Sequence, residues 1–177
     1  MRWAIIPPVK ISGIGESQVA EEIQDLIESQ TNPTIAPYAK TGEVHLRVTA
    51  SAENEKACRK LIKPVVKELK KRFGENVFAT DESKTLEEAV IDLLKEKDLK
   101  LSLAESLTGG NCPLLLQSTL LHSQTFMLGL VTVFMGCCYK GKAIAKEFHF
   151  TGNRMRIREQ TTAHALAMLR DCIIMSR

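Results

Sequence analysis

The run LSLAESLTGGN, Leu101 to Asn111, holds the residues best suited to chemistry. A short apolar stretch ends in Glu105 and Ser106, and Thr108, Gly109 and Gly110 follow. Where a strand gives way to a helix, the first backbone N–H groups lack partners and form a ready site for an anion or an oxyanion. Two glycines let a ligand approach the backbone closely. A serine at such a place can attack a carbonyl if a base takes its proton. The same serine also suits the N-cap of the next helix, a position that Ser and Thr both favour. The pattern leaves both roles open for Ser106. Glu105 is compatible with a supporting carboxylate and equally with a surface charge.

A second group lies near the end of the chain. Arg154, Arg156 and Arg158 follow Thr151-Gly152-Asn153 at a predicted helix start. Arg154 and Arg158 are four apart and share a helical face, while Arg156 projects elsewhere. Guanidinium groups there can hold a phosphate through paired N–H donors, or line a solvated helix face. His45, His122, His149 and His164 show no HxxxH or HxH spacing, and the five cysteines form no CxxC pair. No metal site is expected and no cofactor is implied. Cys137 and Cys138 would point to opposite faces of a strand, as small hydrophobes rather than zinc ligands. An odd cysteine count and the lack of a signal peptide in MRWAIIPPVK favour free thiols in a reducing, cytoplasmic setting.

These residues need elements to position them. The 177 residues suit one or two small domains, and 44% hydrophobic and 25% charged residues are ordinary for a globular protein. A net charge of +3 does not imply nucleic acid. Gly13 and Gly15 mark a turn before a helix opened by Glu16 or Ser17, with Val19, Ile23, Leu26 and Ile27 near one face. Asn32-Pro33 and Pro37 punctuate an extended segment. EVHLRVTAS alternates as a half-buried strand, with Val44, Leu46 and Val48 on one side. Glu53 to Phe73 reads as a helix with Ala57, Leu61, Val65, Val66 and Leu69 inward, kinked or divided at Pro64. Its basic face (Arg59, Lys60, Lys63, Lys67, Lys70, Lys71 and Arg72) is read as solvated. Gly74 ends it, and NVFAT is a short strand.

Ser83 or Thr85 can cap a further helix to about Lys97, with Leu86, Ala89, Val90, Leu93 and Leu94 inward. LKLSLAES is the next predicted strand. NCPLLLQSTLLHSQTF has no clear period. LGLVTVFMGCCYKGKAIAKEFHF reads as a β-hairpin turning at YKGK, and the last helix runs from about Arg154 to Met175. No charged residue occurs between Ser106 and Tyr139, but FMLGLVTVFMGCCY is shorter than the roughly 20 residues a spanning helix needs. A buried strand is expected there, and no membrane association.

The residues resemble a known family. SGIGESQVAEEIQDLIESQTNPTIAPYAKTGEVHLRVTA, continuing through RFGENVFATD, is similar to the middle region of the CinA family (competence/damage-inducible protein A). LAESLTGG resembles the start of that family's C-terminal nicotinamide-nucleotide amidohydrolase domain, and GLVTVFMGCCYKGKAIAKEFHFTGNRMRIREQ resembles its end. The resemblance implies an α/β chain of the α+β kind. Residues 1–80 form a KH-like α+β domain, and residues 82–177 a shortened three-layer α/β domain. It implies that Ser106 is an acyl-transfer nucleophile for the carboxamide of nicotinamide mononucleotide, releasing ammonia and nicotinate mononucleotide. Thr108, Gly109 and Gly110 would shape the helix terminus beside it, and Glu105, Arg154 and Arg158 would help to bind a phosphorylated small molecule.

Two family parts have no counterpart. One is the N-terminal domain, which resembles molybdopterin-binding proteins; only MRWAIIPPVK precedes the glycine turn. The other is the centre of the amidohydrolase domain, with its VTYSNEAK strand and G-x-AGP loop. Asn111 to Gln124 is read as a bridge directly to the closing hairpin, and GLVTVFMG is not aligned with the VTYS strand. Tyr139 and Lys140 fall in a hairpin turn and do not replace the family's activating Tyr and Lys. The expectation is a chain without deamidase activity. The alternative is a non-enzymatic binding or interaction module related to competence or DNA damage, or a non-functional truncation product; separately, the shortened domain is expected to self-associate as a homo-oligomer. GIGES is not the GxxG loop by which KH domains clamp a nucleic-acid backbone, so nucleic acid is not expected as a partner.

Overall fold

The computed structural model describes residues 2–5, 7–101 and 128–175. The chain is α+β throughout and divides into two compact units, Met1–Lys84 and Thr85–Arg177.

The first unit is organised around one long strand. Its elements are β1 (Arg2–Ile5), β2 (Val9–Ser12), α1 (Glu16–Glu22), α2 (Gln24–Ser29), β3 (Thr34–Lys40), β4 (Glu43–Ala52), α3 (Glu55–Phe73) and β5 (Val77–Ala79). All pairings are antiparallel. β3 lies along one edge of β4, from Thr34↔Thr49 to Lys40↔Glu43. The other edge of β4 is shared: β2 pairs with Glu43–Leu46 and β1 with Thr49–Ala52. Pro7 and Pro8 separate these two short strands. Proline offers no N–H to a ladder, so the pairing breaks there and resumes. β1 carries no periodicity of its own, and sequence reading did not find it.

The alternation of β4 sets the core. Val44, Leu46, Val48 and Ala50 are buried beside Val9 and Ile11 of β2 and Ile35 of β3. Val19 and Ile23 cover them from the helical layer, with Leu26 and Ile27 partly buried. Ile23 has φ −116°, so the predicted single helix becomes two. α3 buries Cys58, Ile62, Leu69 and Phe73. Of the expected stripe, Leu69 is buried and Val65 and Val66 pack against the core, but the first turns bury Cys58 and Ile62 in place of Ala57 and Leu61, and Leu61 is exposed. Pro64 neither divides nor ends α3, which runs unbroken for 19 residues. Both Pro64 and Lys60 are exposed, so the carbonyl that loses its donor faces the solvent side.

Arg72 also departs from expectation. It is not a solvated member of the basic face. Its guanidinium donates to the Asp25 carboxylate (Nη2 to Oδ2 2.7 Å), to the Glu22 carbonyl at 2.7 Å and to Glu68 at 3.0 Å. This network ties α3 to α1 and α2. The hydrogen bonds from Arg72 hold the Asp25 carboxyl below its usual range.

The second unit contains α4 (Leu86–Glu96), β6 (Leu128–Tyr139), β7 (Lys142–Asn153) and α5 (Arg154–Met175). A capping box opens α4. Thr85 Oγ1 accepts from the Glu88 N–H at 3.2 Å, and the Glu88 carboxylate accepts from the Thr85 N–H at 2.9 Å. Leu86 and Val90 are its buried positions. α4 packs against α5, where Lys97 Nζ donates to the Ile173 carbonyl at 3.5 Å. β6 and β7 form a regular hairpin from Leu128↔Asn153 to Tyr139↔Lys142. Lys140 (φ 49°) and Gly141 (φ 77°) take the two left-handed positions that such a tight turn demands. Val133, Met135 and Phe150 on the inner face pack on Ile157 and Met168 of α5. Phe134, on the outer face, is 74% exposed. The expected buried strand is thus buried on one face only. Among the described residues no helix is long and apolar enough to cross a membrane.

Candidate functional site

The described part of the candidate site is the passage from β7 into α5. Gly152 has φ 134°, a conformation open to glycine and strained for other residues. A Cβ built there would lie 3.0 Å from Cδ of Arg156, because the Arg156 side chain lies over the glycine backbone. Asn153 Oδ1 accepts from the Arg156 N–H at 2.9 Å and so caps the first turn of α5. The TGN tripeptide therefore lets the strand end, turns the chain and starts the helix. Gly152→Ala is expected to cost about 1–3 kcal/mol and to displace Arg156. Urea unfolding measures this, and an unchanged midpoint would contradict the account.

The three arginines separate as the helical spacing requires. Arg156 is exposed and pinned over Gly152, Arg154 is half-buried, and Arg158 is 8% exposed. Below them α5 is buried on nearly every side, and several of its buried groups are polar. Thr161 Oγ1 donates to the Ile157 carbonyl at 2.7 Å, and Thr162 Oγ1 to the Arg158 carbonyl at 2.9 Å. These hydroxyls are satisfied within the helix itself. Gln160 Oε1 is buried with no hydrogen-bond partner among the described residues. Arg170 is buried as well. Burial pushes the Asp171 carboxyl up, against the opposing pull of Arg170 and Lys146. The spacing of Arg154 and Arg158 pointed to the start of this polar helix. The buried threonines, Gln160 and Arg170 were missed, because in sequence they are ordinary helix residues.

His164 belongs to an aromatic cluster. Its ring centroid is 5.0 Å from that of Phe148 and 5.3 Å from that of Phe150, and the two phenylalanines stack at 5.8 Å. Burial, and then the charge of Lys146, hold His164 below the usual histidine range. The imidazole is neutral at pH 7 and serves packing.

Glu105, Ser106, Thr108, Gly109, Gly110 and the stretch from Asn111 to Gln124 lie outside the described residues. Tyr139 and Lys140 stand at the hairpin turn, with Lys140 Nζ 5.4 Å from the Tyr139 ring centre.

The first unit offers one polar cluster that the sequence did not announce. Lys10, buried in the middle of β2, donates to the carbonyls of Glu82 (2.8 Å) and Lys84 (2.7 Å). It clamps the end of the unit onto its own sheet. On the neighbouring strand His45 Nε2 and Glu43 Oε2 are 2.7 Å apart. Ser12 lies opposite Glu43 and is fully buried. Lysine between valine and isoleucine in VKIS is the only sequence signal of this cluster. No two glycines of the chain are three apart, so the GxxG clamp is missing from the sequence as a whole.

The first unit thus places strand, two helices, two strands and a helix in KH order, from β2 to α3, on an all-antiparallel sheet. The second is an α+β unit closed by a hairpin and a buried polar helix. Together they define a two-unit α+β protein. Residues 8–79 match the family model described as Damage-inducible protein CinA KH domain. Residues 83–132 and 132–173 match the CinA C-terminal domain. The chain belongs to the CinA family.

Curated relatives agree. The chain is 54% identical over 128 residues to a "Putative competence-damage inducible protein" of Clostridium beijerinckii, covering 70% of the chain and 30% of the relative. A "CinA-like protein" of Dictyoglomus turgidum is 53% identical over 102 residues, 58% of the chain and 25% of the relative. Another "Putative competence-damage inducible protein", from Clostridium novyi, is 31% identical over 234 positions, 94% of the chain and 55% of the relative. The chain therefore spans between a quarter and about half the length of these relatives.

The last alignment also contains unfilled positions. Since 94% of 177 residues is about 166, about 68 of the 234 aligned positions have no residue in this chain. The C-terminal family match breaks at Thr132, inside β6. This corrects the expected position of the discontinuity. Asn111–Gln124 lies within the first matched piece, as do Leu128–Thr132 at the start of β6. Only the remainder of β6, with β7 and α5, belongs to the closing piece.

Proposed function

We propose that this chain is a shortened CinA-type protein that retains elements of a nucleotide-amide site without the hydrolytic activity. Its ancestral reaction is hydrolysis of nicotinamide mononucleotide to nicotinate mononucleotide and ammonia. The observation that supports this is the break at Thr132, with about 68 aligned positions unfilled. The family's VTYSNEAK and G-x-AGP segments have no counterpart in the sequence, and with them go the Tyr and Lys that activate the serine. A serine hydroxyl without a base is a weak nucleophile at neutral pH. Tyr139 and Lys140 sit at a hairpin turn.

In this reading Ser106, Thr108, Gly109 and Gly110 contribute a donor-rich helix terminus, with Glu105 beside it. Arg154 and Arg158 supply guanidinium donors for a phosphate. With no loop to enclose the nucleotide, affinity is expected to be no better than about 1 mM, or about 4 kcal/mol.

Ammonia release from nicotinamide mononucleotide by the purified chain tests the first half. No release above the blank is expected. Steady release that Ser106→Ala abolishes would overturn the reading and require another base. Titration with the same nucleotide, followed by amide NMR, tests the second half. Shifts confined to residues 106–110 and 151–158 support the site, and shifts only in residues 12–80 oppose it.

A further inference from the structure

The packing of α5 on β6 brings two cysteines together. Val133, Met135 and Cys137 are successive inward positions of β6. Met135 and Met168 share one buried cluster, and Cys137 packs against it. The chain reverses at Lys140-Gly141 and again at Gly152-Asn153, so α5 runs back along β6. From Met135 to Cys137 a strand advances about 6.6 Å, and from Met168 to Cys172 a helix advances about 6 Å. The two steps match and set Cys137 and Cys172 at one level. The two thiols lie close enough for Cys172 to perturb the titration of Cys137. Both are reduced, Cys172 buried and Cys137 half-buried, while Cys138 is exposed on the opposite face of the hairpin.

We propose that Cys137 and Cys172 form a reversible disulfide, closed by a small-molecule disulfide and reopened by a thiol reductant. Cys137 loses its proton to solvent and attacks one sulfur of the oxidant, and one small thiol leaves. Cys172, the buried partner, then loses its proton and displaces the second small thiol from Cys137. Two protein thiols become one S–S bond, and the S–S bond of the oxidant becomes two thiols. Burial, followed by the contact with Cys172, pushes the Cys137 thiol up to about 12. Little thiolate is present at neutral pH, so closure is slow. The bond would staple the hairpin to the helix that carries Arg154 and Arg158.

The full-length chain is incubated with oxidised glutathione, its remaining thiols are alkylated, and tryptic peptides are mapped by mass spectrometry. The peptide Asp171–Arg177, which holds Cys172, is expected to be recovered linked to the peptide that holds Cys137. The link should persist in Cys138→Ser, vanish in Cys137→Ser and be cleaved by dithiothreitol. The oxidised chain should also melt at a higher temperature than the reduced chain, and the difference should disappear on reduction. A link to Asp171–Arg177 that survives Cys137→Ser overturns the proposal. So does the absence of any such link in the folded chain.

Discussion

Phe150→Ala is expected to destabilise the C-terminal unit by about 3–5 kcal/mol. Phe150 is 5% exposed and sits at the centre of the hairpin–helix contact, beside Val133, Met135, Ile157 and Met168. Its ring touches Phe148 and His164, so truncation leaves a cavity that both rings line. Rigid strand pairing, Val131↔Phe150, limits how far the site can collapse. Urea unfolding measures the loss, and a change under about 1 kcal/mol would mean that the cluster is not a packed core.

A second readout comes from pH. Because burial lowers the His164 pKa in the folded state, the unfolded chain takes up a proton first as pH falls. Stability from this source is therefore complete above about pH 6.5 and declines below it, through the folded pKa. Phe150→Ala admits water to the ring, so this acid sensitivity should shrink. His164→Phe should remove it while keeping the packing.

Pro64→Ala is expected to act in the opposite direction, stabilising the N-terminal unit by up to about 3 kcal/mol. α3 continues through Pro64 without a break, so the helix bears the missing hydrogen bond and the ring's crowding of the preceding turn. Alanine restores the donor to the Lys60 carbonyl. Because Pro64 is exposed, the change opens no cavity. A raised urea midpoint with an unchanged slope is the expected outcome. No change would show that the surroundings of Pro64 already relieve the strain.

The same proline shows where sequence reading succeeds and where it stops. The alternation of Val44, Leu46 and Val48 is fixed by strand geometry, and it identified β4 and the core face correctly. The Tyr-Lys-Gly-Lys turn was legible because Gly141 meets a local conformational demand. Pro64 misled because a local rule, that proline breaks helices, yielded to the burial of Ile62 and Leu69 on either side of it. The Ala57 and Leu61 end of the stripe failed for a related reason, while Val65, Val66 and Leu69 do face the core. The face that a helix buries is chosen by the sheet it meets, and a shift of one residue turns it by about 100°. β1 was invisible because four residues acquire strand geometry only by pairing with Thr49–Ala52. In the candidate site, the Arg154 and Arg158 spacing was readable. The burial of Arg158 and Arg170 was not, since it depends on how completely α5 is enclosed.

The seam in β6 has a consequence for what this fold can absorb. An extended strand is a backbone template that every residue type can continue, so joining two segments inside it leaves the ladder with β7 complete. The constraint is parity. Val131, Val133, Met135 and Cys137 continue one inward row straight across Thr132. An excision longer or shorter by a single codon would send Phe134, Gly136 and Cys138 toward α5 and turn Val133 and Met135 outward. An excision differing by two would only slide the row. Half of all in-frame joins at such a place are therefore silent to the core and half invert it. Insertions of one and two residues after Thr132 should give an unfolded and a folded protein respectively.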